Sequence, residues 1–389
     1  MNDEVKIVAN YLPQFHEIPE NNQFWGKGYT DWVAVRNAKP LFDGHNQPKV
    51  PYAQNYYSLD TYDSIEKQVK LANQYGIYGF NIYHYWFNND LNLLTKPAQI
   101  IRNSSELQIH YMFTWDNASW KRTWSAVKHA NDWAPVNDNN ENQENKSQNS
   151  TGILAELIYG TENDWKNHFE YLLKYFKDER YIKEENMPLF GIFNPDNQPK
   201  VLKKMMTFWN KLAQENGFDG VKFICKNNHG ENKISSFSFA YEPGNSAWES
   251  RTLVNKVWKY FDRKKTGTKP KVYQYENVWR NLIHRAKKSH DKNLCFGCFV
   301  NFDDSPRRGC NGRIISGGTP KLFENYLAQL IQICKLKKKT ILFITAWNEW
   351  GEGAYLEPDE SNGVEYLVAL KNAIISVNEL EDNSLDADE

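Results

Sequence analysis

Residues 340–353 read Thr-Ile-Leu-Phe-Ile-Thr-Ala-Trp-Asn-Glu-Trp-Gly-Glu-Gly. The first seven, Thr340–Ala346, form an unbroken apolar or β-branched run, the composition of a strand buried on both faces. Directly after it stand Glu349 and Glu352, three residues apart among the indoles of Trp347 and Trp350, the amide of Asn348 and two glycines. A buried strand that delivers ionisable groups from its carboxyl end fits a (β/α)8 barrel, where functional side chains stand at the ends of different strands. Working outward, the sequence offers seven further strands: Val5–Tyr11, Gly79–Trp86, Ile109–Trp115, Leu189–Asn194, Gly220–Cys225, Val272–Tyr275 and Cys295–Asn301. Ser64–Tyr75, Trp165–Phe176, Pro199–Asn216, Val278–Ser289 and Pro320–Lys335 carry apolar positions at helical spacing between them. This alternation predicts an α/β fold, a single-domain TIM-type barrel, rather than a doubly wound sheet. Neither GxGxxG nor GxxxxGK[ST] occurs.

The barrel is expected over residues 1–375, with an acidic tail over 376–389 that is expected to be solvated from Glu379 on. Residues 137–150 read NDNNENQENKSQNS, without one apolar side chain, and are expected to be a disordered insertion. Hydrophobic residues at 40% and charged residues at 24% supply a core. With 47 basic against 48 acidic side chains, nothing steers the chain toward nucleic acid or anionic lipid. No segment approaches the ~20 apolar residues of a membrane span, and the first residues lack a secretory signal. Five cysteines, an odd number, point to reduced thiols and a cytoplasmic protein. Cys295 and Cys298 fall within a strand and are expected to be buried bystanders, so no metal and no cofactor are called for. The lysines of 335–339 are expected to form a solvated turn.

Aromatic residues make up 15% of the chain, with 14 Trp, 22 Tyr and 21 Phe. Flat side chains with polar tips suit a carbohydrate cleft, because they cover the apolar faces of sugar rings. Cleaving a glycosidic bond takes one carboxyl group to donate a proton and another as base or nucleophile. Glu349 and Glu352 are the candidate catalytic pair, and an indole-lined, partly dry setting would raise the pKa of one of them. Other strand ends bring Tyr11, Gln14 and His16; Tyr83, His84 and Trp86; Trp115, Asp116, Asn117 and then Trp120; and Asp303 and Arg307. With Trp347, Asn348 and Trp350 they form the candidate substrate-binding set. Asp303-Asp304 also superficially resembles the acidic metal–diphosphate motif of nucleotide-sugar enzymes, although no nucleotide-binding loop accompanies it.

Tyr11–His16 (YLPQFH), Phe24–Trp32 (FWGKGYTDW), Ala38–Pro48, Tyr75–Phe87 (YGIYGFNIYHYWF) and Thr345–Asp359 (TAWNEWGEGAYLEPD) together resemble the WbsX-like family. That family is named as glycosyltransferases of bacterial surface-polysaccharide loci and is related to glycoside hydrolase family 99, the endo-α-mannosidases. The resemblance runs from about Val5 to Leu370 and adds Trp32 to the substrate-binding set. It implies a barrel enzyme in the cytoplasm, near O-antigen or capsule assembly, with an oligo- or polysaccharide substrate. By that likeness Glu349 is the base acting on the sugar 2-hydroxyl, giving a 1,2-anhydro intermediate, and Glu352 is the acid. Tyr11, Tyr83, His84, Trp86 and Arg307 are implied as sugar contacts. Two places depart from the family: Ala118 replaces a glutamate while Asp116 stands where alanine is usual, and Phe302 and Asp304 replace a tryptophan and an asparagine. Three readings stay open: cleavage or transfer through the carboxylate pair, transfer from an activated sugar donor, and a non-catalytic glycan-binding barrel.

Overall fold

The structure is a computed structural model that describes residues 4–121, 153–227, 233–248 and 269–385. The expected insertion at 137–150 lies outside the described residues. Eight parallel strands close into a barrel: β1 (Lys6–Tyr11), β2 (Gly79–Asn88), β3 (His110–Trp115), β4 (Met187–Ile192), β5 (Lys222–Lys226), β6 (Phe237–Phe239), β7 (Leu294–Phe299) and β8 (Ile341–Thr345). Each strand pairs with the next. β8 returns to β1 through the register Lys6↔Ile341 to Ala9↔Ile344, and β1 meets β2 through Val8↔Gly79 to Tyr11↔Ile82. The (β/α)8 barrel read from the sequence is therefore the fold.

Helices α1 (Tyr62–Gln74), α2 (Lys96–Asn103), α3 (Glu162–Phe176), α4 (Pro199–Glu215), α5 (Tyr275–Lys288), α6 (Pro320–Leu336) and α7 (Glu365–Leu385) jacket the strands. In α1 the side chain of Thr61 accepts from the Ser64 N–H to start the helix. Ile65, Gln68, Val69 and Ala72 then form its buried stripe. A buried polar chain crosses four strands: Asn10 donates to Thr345 Oγ1 (3.2 Å), Asn81 to Asn10 Oδ1 (2.9 Å) and Thr114 to Asn81 Oδ1 (2.8 Å). Each of these polar groups is satisfied by its neighbour, which removes the cost of burying it. Gly297 on β7 is required by close approach, since a Cβ there would sit 1.9 Å from the Ala240 carbonyl oxygen.

Three expectations are corrected. The sixth strand is Phe237–Phe239, paired to β5 and β7. The expected Val272–Tyr275 instead falls largely in Lys271–Gln274, which pairs with Arg313–Ser316 in a small separate sheet. Helix α7 runs across residue 376 to Leu385, and Val377 is buried, so the expected boundary between barrel and tail at 375/376 falls inside a helix. The lysine run is not simply solvated: Lys339 is buried and donates to the carbonyls of Asp291 and Lys292, while Lys337 donates to that of Ser289. These ammonium groups cap the carbonyls that follow α5. All five cysteines are free thiols.

Candidate active site

The segment after β8 folds as a miniature hairpin. Asn348 and Glu349 pair antiparallel with Ala354 and Tyr355, and a single turn, Trp350–Glu352, joins them. Gly353 closes that turn at φ +56°, in left-handed space that a Cβ would disfavour. Asn348 fastens the hairpin to the end of β1: its Oδ1 accepts from the Leu12 N–H (2.7 Å) and its Nδ2 donates to the Leu12 carbonyl (3.0 Å). Beneath it, Glu357 accepts from Tyr57 Oη (2.6 Å), Trp350 Nε1 (2.7 Å) and Gln68 Nε2 (2.7 Å). Burial pushes the Glu357 carboxyl up to about 7 despite those donors. The result turns both indoles inward and brings Glu349 and Glu352 out together.

A single guanidinium holds them. Arg307 comes from the short helix Ser305–Arg308 that follows β7. Its Nη2 donates to Glu349 Oε1 (2.8 Å) and to Asp31 Oδ2 (2.9 Å), and its Nη1 donates to Glu352 Oε1 (3.3 Å). The Glu349 side chain is 7% exposed and that of Glu352 25%, so the first lies deep and the second faces the opening. One cation faces three carboxyl groups. Burial raises Glu349, with the charges of Glu352 and Asp31 adding to it and Arg307 opposing. Burial likewise raises Asp31 against the pull of Arg307. Gly351 makes room for this arrangement, since a Cβ there would lie 2.5 Å from Arg307 Nε. Gly351→Ala is expected to displace the guanidinium by a fraction of an ångström to an ångström. The resulting loss in kcat should reach about 100-fold. Steady-state kinetics beside a melting curve will separate that loss from unfolding.

Tyrosines, not indoles, face the carboxylates. Tyr83 Oη donates to Tyr241 Oη (2.8 Å), and Gln14 Nε2 donates to Tyr85 Oη (2.8 Å). Burial raises all three phenols, and the charge of Glu349 acts on each of them. Tyr29 stands by Asp31 and Arg307. Asp116, at the end of β3, accepts from Asn194 Nδ2 (3.0 Å); burial pushes it up to about 6 against the pull of Lys226.

The candidate residues thus divide. Glu349, Glu352, Arg307, Tyr83, Gln14 and Asp116 converge on the mouth. Tyr11 is fully buried and donates to Gln68. His84 and His168 share a 2.8 Å contact between β2 and α3, with Trp86 stacked on His168 at 4.5 Å. These groups pack sheet to helix. Trp115 donates to the Trp86 carbonyl, and Asn117 ties together Tyr159 and Asn194. His16, Trp32, Trp120, Trp347, Asn348 and Trp350 are all buried. Trp32 lies against Trp350 at 5.4 Å and donates to the Tyr57 carbonyl, while Trp120 packs on Tyr85 and Phe87. The expected indole-walled hollow is corrected on this point: the tryptophans support the mouth from behind. Asp303 is engaged by His45 Nε2 (2.8 Å), Gln47 Nε2 (2.7 Å) and the Ser305 N–H (3.0 Å). Against the upward push of burial, these donors hold its carboxyl below the usual range. Asp304 accepts from the Arg313 N–H and pairs with Arg308. Both aspartates organise loops. The sequence reading missed Asp31, Tyr29, Tyr85, Asn194, Lys226 and Tyr241, although Asp31 stands inside the Phe24–Trp32 motif.

The family model described as Glycosyltransferase WbsX matches residues 7–370. A protein described as uncharacterized protein WxcX of Xanthomonas campestris pv. campestris is 28% identical over 379 residues, which is 95% of this chain and 49% of that protein. The chain therefore spans about half the length of the curated relatives it matches. Among solved structures, a GH99 endo-alpha-mannosidase from Bacteroides thetaiotaomicron in complex with BIS-TRIS-propane superposes with a TM-score of 0.56 at 12% identity, covering 98% of this chain and 99% of that one. A structure described as a glycoside hydrolase-like protein superposes with a TM-score of 0.54 at 12% identity, covering 96% and 94%. These likenesses show the same barrel fold.

Proposed function

This chain belongs to the WbsX glycosyltransferase family, and from that premise we propose that it is a carbohydrate-active enzyme that cleaves or transfers glycosidic bonds of a bacterial surface polysaccharide. Glu349 and Glu352 are its reacting carboxyl groups. The observation that carries this reading is the Arg307 fork, which holds a deep carboxyl and a mouth-facing carboxyl side by side under a tyrosine wall. The fold shared with a GH99 endo-alpha-mannosidase supports it. No helix among the described residues is long and apolar enough to cross a membrane. The five free thiols support a reducing, cytoplasmic compartment.

In this reading Glu349 accepts the proton of the sugar 2-hydroxyl as that oxygen attacks C1. The bond from C1 to the leaving oxygen breaks, and Glu352 gives that oxygen its proton. In the second half, a water or sugar hydroxyl attacks C1, its proton returns to Glu352, and the 2-oxygen regains its proton from Glu349. Each half-reaction moves one negative charge between the two carboxylates. Arg307, bonded to both, faces the same total charge throughout, so its field needs no reorganisation. Hydrolysis and transfer then differ only in which hydroxyl enters.

A pH profile tests the roles. The active form holds one proton on the pair, with Glu349 ionised and Glu352 protonated, so kcat/KM is expected to be bell-shaped. Burial raises Glu349 and with it the upper apparent pKa of the pair, so the basic limb is expected above the ordinary carboxylate range, with activity falling as pH rises through it. The measurement is release of new reducing ends, or growth of a labelled acceptor, on surface-polysaccharide fragments between pH 5 and 9. Activity that stays level up to pH 9 would show that turnover needs no proton on the pair and would remove the acid role of Glu352. Turnover that requires a nucleotide sugar and is abolished by chelator would remove the carboxylate-pair reading.

A further inference from the structure

One motif of the sequence has no part in the carboxylate chemistry: the loop Ala38–Pro48. It is nevertheless firmly built. His45 Nδ1 accepts from the Leu41 N–H (3.1 Å), which leaves Nε2 as the donor to Asp303 Oδ2 (2.8 Å), and Gln47 Nε2 donates to the same oxygen (2.7 Å). Phe42 lies flat on the anchored imidazole, with centroids 4.6 Å apart and planes within 10°. That stack occupies one face of the phenyl ring. Phe42 is still 41% exposed. A ring held rigid and partly uncovered offers a platform on which a flat apolar ligand face can lie.

Beside Phe42 lies an open depression of about 300 Å³, bordered also by Lys49, Asn301, Ser316 and Tyr366. Its inner wall includes Asp303 and Gly353. The Asp303 N–H donates to the Glu352 carbonyl (2.6 Å), so that wall is the back of the hairpin bearing the mouth-facing carboxylate. That volume is at the lower end of the range of small-molecule pockets, room for one sugar unit. Its lining combines one flat apolar platform with amide, hydroxyl, phenol and ammonium groups. Lys49 is offset by the charges of Asp303 and Asp359 near it, so the depression favours no strong anion. A flat apolar face ringed by mixed donors and acceptors complements a pyranose, whose C–H face is apolar and whose edge carries hydroxyls.

We propose that this depression is a second saccharide subsite, which holds one sugar of the glycan chain on the Phe42 ring, at a distance from the bond at Glu349 and Glu352. The inference deepens the function proposed above and rests on it. It makes the substrate a chain rather than a single sugar, with binding energy drawn from a unit that does not react.

The test uses fragments of the surface polysaccharide of the bacterium that encodes this protein, released by mild acid and sized from one to six residues. Binding is measured by titration calorimetry on Glu352→Gln protein with and without Phe42→Ala, and KM is measured with Glu352 intact. Affinity is expected to step upward at the length that first reaches the depression. Phe42→Ala should remove roughly 5- to 10-fold of affinity for fragments beyond that length, leave shorter ones unchanged, and raise KM for long fragments at constant kcat. Phe42→Trp should preserve the step. An equal effect of Phe42→Ala on short and long fragments, or none on either, overturns the subsite even when the enzyme turns over. Length-dependent binding with no turnover by the unmodified protein upholds the subsite and removes the catalytic reading. No binding at any length overturns both.

Discussion

Glu352→Gln is expected to lower kcat on natural oligosaccharides by about 100- to 10,000-fold, the range for a lost general acid. The fold should be untouched. The glutamine amide oxygen can still accept from Arg307 Nη1, and the residue it replaces is partly open to solvent. The loss should depend on the leaving group. A nitrophenyl aglycone departs without protonation, so on such a glycoside the first half-reaction of Glu352→Gln should approach that of the unmodified protein. Glu349→Gln should fail on both substrates, because no leaving group relieves the need to take the proton from the 2-hydroxyl. Burst and steady-state kinetics on the two substrate types check this directly. A swapped pattern reverses the two roles. Full activity of both variants on natural substrates ends the enzymatic case for this pair.

The physics of the strands decides what could be read in advance. β8 and its hairpin were legible because an apolar run stops abruptly at polar residues, and that boundary is local. The sixth strand was not. Phe237–Phe239 has three residues and follows β5 at short range, so neither length nor an intervening helical pattern marks it. The need for an eighth strand then fell on 272–275, and Tyr241, just beyond the true β6, was lost with it. On β2 the difficulty was register. Every residue from Gly79 to Tyr85 is buried, so no polar face tells which side looks into the barrel. Tyr83 and Tyr85 reach the mouth, while His84 packs outward with Trp86 against α3. Asp31 was visible in its motif, but its partner Arg307 lies 276 residues away, and no local pattern encodes that meeting.

Removing the guanidinium should have the largest effect on stability. Arg307→Ala leaves Asp31, Glu349 and Glu352 without the cation that all three contact. Breaking a buried ion network from one side costs about 3–5 kcal/mol, because the remaining charges stay desolvated and uncompensated. The cost should depend on pH in a defined direction. Burial already raises Asp31 and Glu349, and Arg307 opposes that rise in both. Without it, their folded pKa values climb further above the unfolded ones, so the folded state binds more protons than the unfolded state across the interval between them. Stability therefore falls as pH rises through that interval and is regained toward the unfolded carboxylate values near 4. Urea unfolding at pH 5 and pH 8 should show the deficit of Arg307→Ala near its full size at pH 8 and much reduced at pH 5. Adding Asp31→Asn and Glu349→Gln should restore much of the loss at pH 8, since the uncompensated charges are then gone. Arg307→Lys should recover stability better than activity, because a single ammonium can neutralise the cluster but cannot fork between two carboxylates. A deficit of equal size at both pH values would make the arginine a packing residue, and the charge-balanced exchange between Glu349 and Glu352 would lose its support.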